Sequence, residues 1–480
     1  MKAVAIVGGG FSGSMAAVNL TRLAKAPLRI TVINHGSPLG RGVAYGTRQP
    51  EHLLNVAARN MSAFPDQPNH FVDWLGTRSE YADVPTAVLR EEFLPRRLYG
   101  DYLQSLLFWH TKGLVNAKAQ IEFVNSEVLD LVPAPDRVAV VVEQHPTLEV
   151  DKVLLATGNP PPADLPLADA FEHPRLIANP WKLTEYALTD PGENVVLVGA
   201  GLTMIDVFLT LRALDWKGTI YAVSRTGLLP LSHFHGIAYP EFPPADPTTL
   251  KLAELEALVA EHCQQLRDRG ENPAILVDKL RPYTQRVWQR FSLAEKRRFL
   301  REHRTRWNVM RHRVARSIHE QLTAAIAAGR LQVVQGQVCG LSDRGSRIAL
   351  TLQTPTARGE RTTLEAGWVI NCTGPQESYR NSKGVLYQNL FDRGLVQTDE
   401  MDMGIKVSPE FNVIDGGGYT SDYLFAIGPM LKGSLWETTA VPELRIQALR
   451  VAEAMLAFLE GEAAPGWFAE MWVDVVEYVI

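Results

Sequence analysis

The 480-residue sequence predicts an α/β chain of two doubly wound parallel-sheet units with antiparallel meanders, plus a mainly helical insertion. Two observations predict it. A succession of apolar run, glycine turn and helix-like segment occurs twice, with a period of roughly 190 residues, far longer than a solenoid repeat and suited to a duplicated domain. Within each copy some strands read as near-continuous apolar runs, as buried parallel strands do, while others alternate, as half-exposed antiparallel strands do.

The first copy opens with the run Ala3 to Val7, then "GGGFSG", a helix-like segment to about Lys25, and the strand "RITVIN" ending at Asn34. "IEFVNSEVLDLV", "RVAVVVEQ" and "KVLLATGNP" follow. The second copy opens with "NVVLVGAGLTMID" and the strand "TIYAVSR", and continues through "LQVVQGQVCGL", "RIALTLQT" and "WVINCTGP". An insertion from about Ser37 to Ala119 interrupts the first copy, and one from about Pro230 to Arg330 interrupts the second. In the latter, Leu252, Leu255, Val259 and Leu266 share a helix face before Gly270. Ser292 and Glu295 form a capping box, and Gly329 ends a third helix. Pro160 to Pro162, Pro166 and Pro174 stiffen the connector between copies. After Gln376 the chain returns to the first unit with "YLFAIGP" and a long helix opened by Pro442 and closed by Gly461. The expected domains are therefore 1–190 with 375–480, and 191–374 containing an insertion at about 230–330.

Composition narrows the function. A hydrophobic share of 46% and a charged share of 21% suit ordinary globular cores. A net charge of -5 argues against a nucleic-acid binder. Cys263, Cys339 and Cys372 lie far apart, which excludes a disulfide framework, a metal knuckle or a redox dithiol. No metal is expected. The opening residues are too short for a signal-peptide core, and no run approaches the ~20 apolar residues of a membrane span. A cytoplasmic protein without a membrane partner is expected.

In "GGGFSG", Gly8 permits the tight turn, Gly10 lets backbone approach a pyrophosphate, and Gly13 lets the helix pack on the strand. The helix N-terminus then offers free N–H groups to phosphate. This order of strand, turn, helix and strand predicts a Rossmann-like dinucleotide site. Asn34 stands where an acidic residue usually holds the ribose, and an amide can bond the same hydroxyls.

The second fingerprint, "GAGLTM", places Gly199 and Gly201 in the first two glycine positions, with Thr203 beside Met204 in the third. Methionine there is expected to push helix and strand apart, and a degenerate, non-binding duplicate is the alternative. Arg225 follows the strand that should end at the ribose, where arginine holds a 2′-phosphate, and Ser224 adds a hydroxyl. This favours NADPH over NADH. The alternative is an arginine that only solvates a strand end.

The fingerprint, "GRGVAYGT", "LLNVAARNMSAFP", "LLATGNP", "GAGLTMID", "SRTGLLP" and "WVINCTGP" together resemble a bacterial family of FAD-NAD(P)-binding proteins related to flavin-containing and N-hydroxylating monooxygenases. The likeness spans nearly the whole chain. It implies FAD contacts at Gly8, Gly10, Ser12, Gly13, Asn34, Arg41, Gly42, Tyr45, Asn55, Val56, Thr157, Gly158 and Gly428. Relatives of this look include aspartate N-oxygenating enzymes. In "FEHPRLIANPW" Phe171 matches the Phe, Gly and His signature of the monooxygenases, but His173 and Ile177 replace its glycine and histidine. That departure weakens the ketone-oxidising and sulfur-oxidising branches more than the N-hydroxylating one.

Between Arg281 and Arg316 stand eleven arginines and Lys296 against Glu295 and Glu302. The reading is an arginine-lined cavity for carboxylate or phosphate, set against a solvated helix face. His233 and His235 follow the NADPH edge, where they meet nicotinamide or substrate unless they are an ordinary surface pair. Gly428 and Pro429 are expected beside the flavin, with the helix after Pro442 aimed at its carbonyl. His235, Trp436 and Glu437 are then weak active-site candidates, and packing or helix-start charge is the alternative for the last two. Cys372 reads as a buried core thiol. The cofactors, FAD and NADPH, must supply the chemistry.

The expected function is an NADPH-dependent FAD monooxygenase that N-hydroxylates a small amine-bearing carboxylate with O2 through a C4a-peroxyflavin. The alternatives are a flavin dehydrogenase or NADPH oxidase without oxygen insertion, and a non-catalytic nucleotide-binding regulator.

Overall fold

The apolar runs become buried central strands of two mainly parallel sheets, because both faces of those strands are covered. The computed structural model describes residues 1–112, 115–165, 171–185, 188–355 and 359–462. The first sheet has the order Asn412–Ile414, Thr420–Ala426, Lys152–Leu155, Lys2–Val7, Leu28–Asn34, Ala119–Asn125. Only the pair Asn412–Ile414 and Thr420–Ala426 is antiparallel. The second has the order Leu331–Gln335, Ile220–Ser224, Val195–Val198, Trp368–Asn371, Leu176–Ile177 and is parallel throughout. The alternating segments form two antiparallel meanders, Val128–Pro133 to Leu148–Val150 and Gln337–Asp343 to Arg361–Ala366.

The repeat is reproduced hydrogen bond by hydrogen bond. Gly8 N–H donates to Ile33 O, and Gly199 N–H to Val223 O, each at 2.8 Å. Ala156 N–H donates to Val7 O, and Cys372 N–H to Val198 O, again at 2.8 Å. Met204, at the third glycine place of the second copy, is fully buried and joins the core around Leu197 and Ile370. That core takes up the extra volume.

The strand Leu176–Ile177 belongs to the second sheet, so the chain reaches that unit before the boundary expected at 190. Two residues are too few to carry a periodicity, and their role is to cover the edge of Trp368–Asn371. Of the connector prolines, Pro166 lies outside the described residues. Pro162 pairs with Pro375, and Gln376 N–H donates to Pro161 O at 3.0 Å. The outgoing and returning crossings therefore run side by side.

The second insertion folds into the helices Leu252–Asp268, Ile275–Leu280, Thr284–Arg290, Leu293–Glu302, Arg304–Arg311 and Arg316–Ala327. Ser292 Oγ accepts from Glu295 N–H at 3.3 Å while the Glu295 carboxylate accepts from Ser292 N–H at 2.9 Å, closing the capping box. The last long helix, Val441–Glu460, ends on Gly461 in the left-handed region and packs along Phe11–Leu23. Among the described residues no helix is long and apolar enough to cross a membrane.

A buried polar clamp joins the first insertion to the helix Leu202–Ala213. Arg96 Nη1 bonds Asp206 at 2.8 Å, and His52 Nε2 lies 2.9 Å from Thr210 Oγ1 and 3.0 Å from Asp206 O. The side chains of Arg96 and Asp206 are 13% and 6% exposed, so removing one charge leaves the other nearly dry. Asp206→Ala should lower stability by about 3 kcal/mol, read as a lower denaturation midpoint, whereas Asp83→Ala at an exposed position should change it little.

Candidate functional site

The glycines of the first turn are required for different reasons. Gly8 has φ +110°, and a Cβ there would lie 2.3 Å from Ala156 O. At Gly13 a Cβ would sit 1.9 Å from Gly8 O, so the helix can lie on its strand only without one. Gly10 differs: the nearest protein atom to its Cβ position is Gly42 Cα at 3.7 Å. It caps Phe11–Leu23 with no side-chain hydrogen bond, leaving the first N–H groups to face outward. This is a cradle that a side chain would fill, and it fits a pyrophosphate.

Around it stand the other residues expected to touch FAD. Gly42, with φ +56°, approaches Gly10, and Gly428, with φ +92°, approaches Ser12 Oγ. A ring of hydrogen bonds holds Gly428: its N–H donates to Gln447 Oε1 at 3.1 Å, Gln447 Nε2 to Thr438 Oγ1 at 2.7 Å, and Thr438 Oγ1 to Gly428 O at 3.2 Å. Thr157 Oγ1 bonds Tyr387, and Gly158 O accepts from Tyr379 at 2.8 Å. Tyr45 packs tilted on Tyr99.

Asn34 and Arg41 have structural partners. Asn34 Oδ1 accepts from Gly9 N–H at 3.0 Å and Nδ2 donates to Ser37 O at 2.6 Å, so the amide locks the glycine turn to the loop after the strand. Arg41 bonds Arg97 O, Asp101 and Gln104.

The second turn repeats the first. Gly199 has φ +123°, and its Cβ would lie 2.3 Å from Cys372 O. Gly201 caps Leu202–Ala213 without a side-chain bond and has no atom within 4 Å of its Cβ position. Thr203 is in the first turn of that helix. Ser224 Oγ accepts from Gly227 N–H at 3.1 Å. Arg225 is exposed at the strand end, and among the described residues its guanidinium has no ion-pair or hydrogen-bond partner. Cys372 is buried, burial pushes its thiol well up, and the three cysteines are unpaired. That leaves no dithiol relay.

Where the two insertions meet lies an open cleft. Asn55, Val56, Arg59, His233, His235, Asp278, Arg281, Arg311 and Arg313 contribute to its wall. His233 Nε2 donates to Asn55 O at 2.9 Å, leaving the lone pair on Nδ1. Burial, then Arg313, push its pKa down to about 3, so it is neutral at pH 7. His235 is on the rim, 3.9 Å from Glu91.

The arginine-rich segment is neither a bare cation wall nor a merely solvated face. Arg281 makes a fork with Glu443 at 2.7 and 3.0 Å, and Nη2 of Arg313 donates to both oxygens of Asp278 at 2.8 and 2.7 Å. Arg304 bonds Glu377, and Arg298 bonds Glu256 and Glu302. Glu437, Glu443 and Glu377 come from the return to the first unit, so the segment pins the insertion there. Sequence spacing shows cations but not the distant acids that meet them. Glu443, in the first turn of a helix, carried the one local signal.

Two weak candidates separate. Trp436 is 3% exposed, stacks on Trp288 at 4.9 Å and meets Phe299 edge-on, so it is packing. Glu437 is also buried, with φ +68°, and accepts from Trp307 Nε1 at 2.7 Å. Burial opposes its charge, but Arg311, His312 and Trp307 outweigh it and hold the carboxyl below its usual range. It lines a second cleft of about 600 Å³ with Arg281, Glu443 and Gln447.

Because Gly10 faces space and not protein, Gly10→Val should leave a folded chain that purifies without flavin. Recovery of one FAD per chain, read from absorbance after denaturation, would count against this cradle.

Residues 5–160 match the family described as FAD-NAD(P)-binding. No curated protein matches the chain. Among solved structures, L-lysine 6-monooxygenase from Pseudomonas syringae superposes with a TM-score of 0.66 at 15% identity, covering 96% of this chain and 100% of that one. The ornithine N-hydroxylase of Kutzneria sp. 744 gives 0.64 at 16% identity, covering 94% and 98%. The ornithine hydroxylase of Pseudomonas aeruginosa gives 0.64 at 15% identity, covering 96% and 100%. The chain thus carries an FAD-NAD(P)-binding domain at residues 5–160 and, as a whole, has the two-unit FAD/NADP fold of these N-hydroxylating enzymes.

Proposed function

We propose that the chain is an NADPH-dependent FAD monooxygenase that N-hydroxylates or N-oxygenates a small amine-bearing carboxylate. The observation that carries this reading is the cleft where Asn55 and Val56, His233 and His235, and three arginines of the insertion converge. The fold likeness to ornithine and lysine hydroxylases supports the same class. Bound FAD supplies the redox chemistry, taking hydride from NADPH and activating O2. In overall balance, amine, O2, NADPH and a proton give hydroxylamine, NADP⁺ and water.

The chain's own residues bind and orient. The cradles at Gly10 and Gly201 hold the two pyrophosphates, and the ring of Gly428, Thr438 and Gln447 fixes the backbone beside the first. Arg225 holds the 2′-phosphate. In the cleft Arg311, whose carboxylate contacts do not close as hydrogen bonds, disfavours an ammonium beside it and so favours the neutral amine, whose lone pair takes the oxygen. His233, neutral with its Nε2 proton committed to Asn55 O, adds no charge there.

The test is turnover under ¹⁸O₂ with L-ornithine, L-lysine and L-aspartate. One ¹⁸O in an N-oxygenated product is expected. NADPH consumption with stoichiometric hydrogen peroxide and no labelled product would replace this reading by an oxidase.

Coenzyme choice is tested separately. A charge-assisted hydrogen bond is worth about 1.5 to 3 kcal/mol, so Arg225→Ala should lower the specificity constant for NADPH roughly 10- to 150-fold. Use of NADH should change little. The measurement is anaerobic flavin reduction by each coenzyme at one ionic strength. Equal losses would mean that Arg225 serves the fold.

A further inference from the structure

The three cleft arginines of the insertion are not equivalent. Arg281 forks onto Glu443 through Nε and Nη2, and Arg313 holds both oxygens of Asp278 through Nη2, with only its Nε buried and unpartnered. Arg311 has no closed carboxylate bond from either Nε or Nη2. Its side chain is 6% exposed, with Nε 3.1 Å from Glu437 Oε2 and Nη2 3.8 Å from Glu443 Oε1. Neither contact closes as a hydrogen bond: Nε and Nη2 of Arg311 and Oε2 of Glu437 are all buried without a hydrogen-bond partner. A buried guanidinium in that state gains most from an acceptor that enters along the cleft it lines, because leaving a charged donor unmatched is costlier than satisfying it.

We propose that Arg311 is the residue that selects a carboxylate-bearing ligand in this cleft, by exchanging its imperfect contact with Glu437 for the ligand's carboxylate. The inference rests on reading the cleft as the substrate site. Glu437 is built to yield. Its Oε1 keeps the bond to Trp307 at 2.7 Å whichever partner Arg311 takes. Its backbone, at φ +68°, holds the carboxyl against Arg311 in a conformation that residues other than glycine seldom adopt. The ligand carboxylate accepts two N–H bonds from the guanidinium, and no proton moves. Arg281 and Arg313 keep their own carboxylates, Glu443 and Asp278.

The test compares ligands that differ only by a carboxylate, using calorimetric binding to the oxidised, FAD-loaded protein without NADPH. The pairs are L-ornithine with putrescine and L-lysine with cadaverine. The wild type should bind the amino acid of a pair more tightly. Arg311→Gln should weaken the amino acids roughly 10- to 150-fold and the diamines little, erasing the preference. Arg311→Lys, which keeps a point charge but loses the fork, should retain a reduced preference and decides the matter if the glutamine variant fails to hold FAD. Arg316→Gln, at an exposed arginine paired with Glu320, should retain the full preference. A wild type that binds both members of each pair alike, or binds neither, overturns the proposal. So does full preference in the glutamine variant or, where that variant lacks FAD, in the lysine variant. Carboxylate preference without labelled product would sink the monooxygenase reading and leave Arg311's role standing. Labelled product without the preference would do the reverse.

Discussion

Everything in this molecule is arranged around the close approach of two neighbouring parallel strands at their carboxyl ends. In the first unit the turn after Lys2–Val7 passes so near the end of Lys152–Leu155 that a Cβ at Gly8 would collide with Ala156 O at 2.3 Å. In the second a Cβ at Gly199 would lie the same distance from Cys372 O. The chain must then enter a helix at once, and its uncapped N–H groups are aimed out of the sheet at the point where strand order reverses, where doubly wound proteins bind their ligands. The glycines are needed because the backbone is crowded on one side and must be bare on the other.

The insertion depends on that geometry without sharing it. It is held by charge more than by a common sheet: Glu437, Glu443 and Glu377 reach arginines of the insertion from the segment that closes the first unit. Half-buried and fully buried pairs of this kind fix position at little net gain in stability, since desolvation offsets most of the attraction. Their value lies in placement. They set the insertion's helices over the mouth of the cleft and determine which guanidiniums face it.

Most of the architecture was legible in the sequence because it depends on local periodicity. The repeat, both fingerprints, the capping box at Ser292 and Glu295, and the terminal helix between Pro442 and Gly461 all appear where expected. What escaped was non-local. Leu176–Ile177 is too short for a period, and its sheet is chosen by a strand almost two hundred residues later in the chain. Asn34 was read for its ribose-facing place, and the bonds of its amide to Gly9 and Ser37 were not legible there. The arginine cluster was visible and its partners were not, because an ion pair between distant residues leaves no spacing. Trp436 was read as a weak site candidate with packing as the alternative, and its stacking on Trp288, 148 positions away, leaves no mark in local spacing.

The side-by-side crossings, Pro162 against Pro375 and Pro161 against Gln376, have a consequence for how such a protein is put together. A unit whose entry and exit touch is, for its host, a short loop: the first unit's chain is interrupted but its ends are not separated, so the entropy of closing across the guest is small. The second unit enters and leaves its host at one crossing, and beyond that crossing it is tied to the first by side-chain contacts such as Arg96 with Asp206. Changes within the guest then leave the path of the host chain as it is.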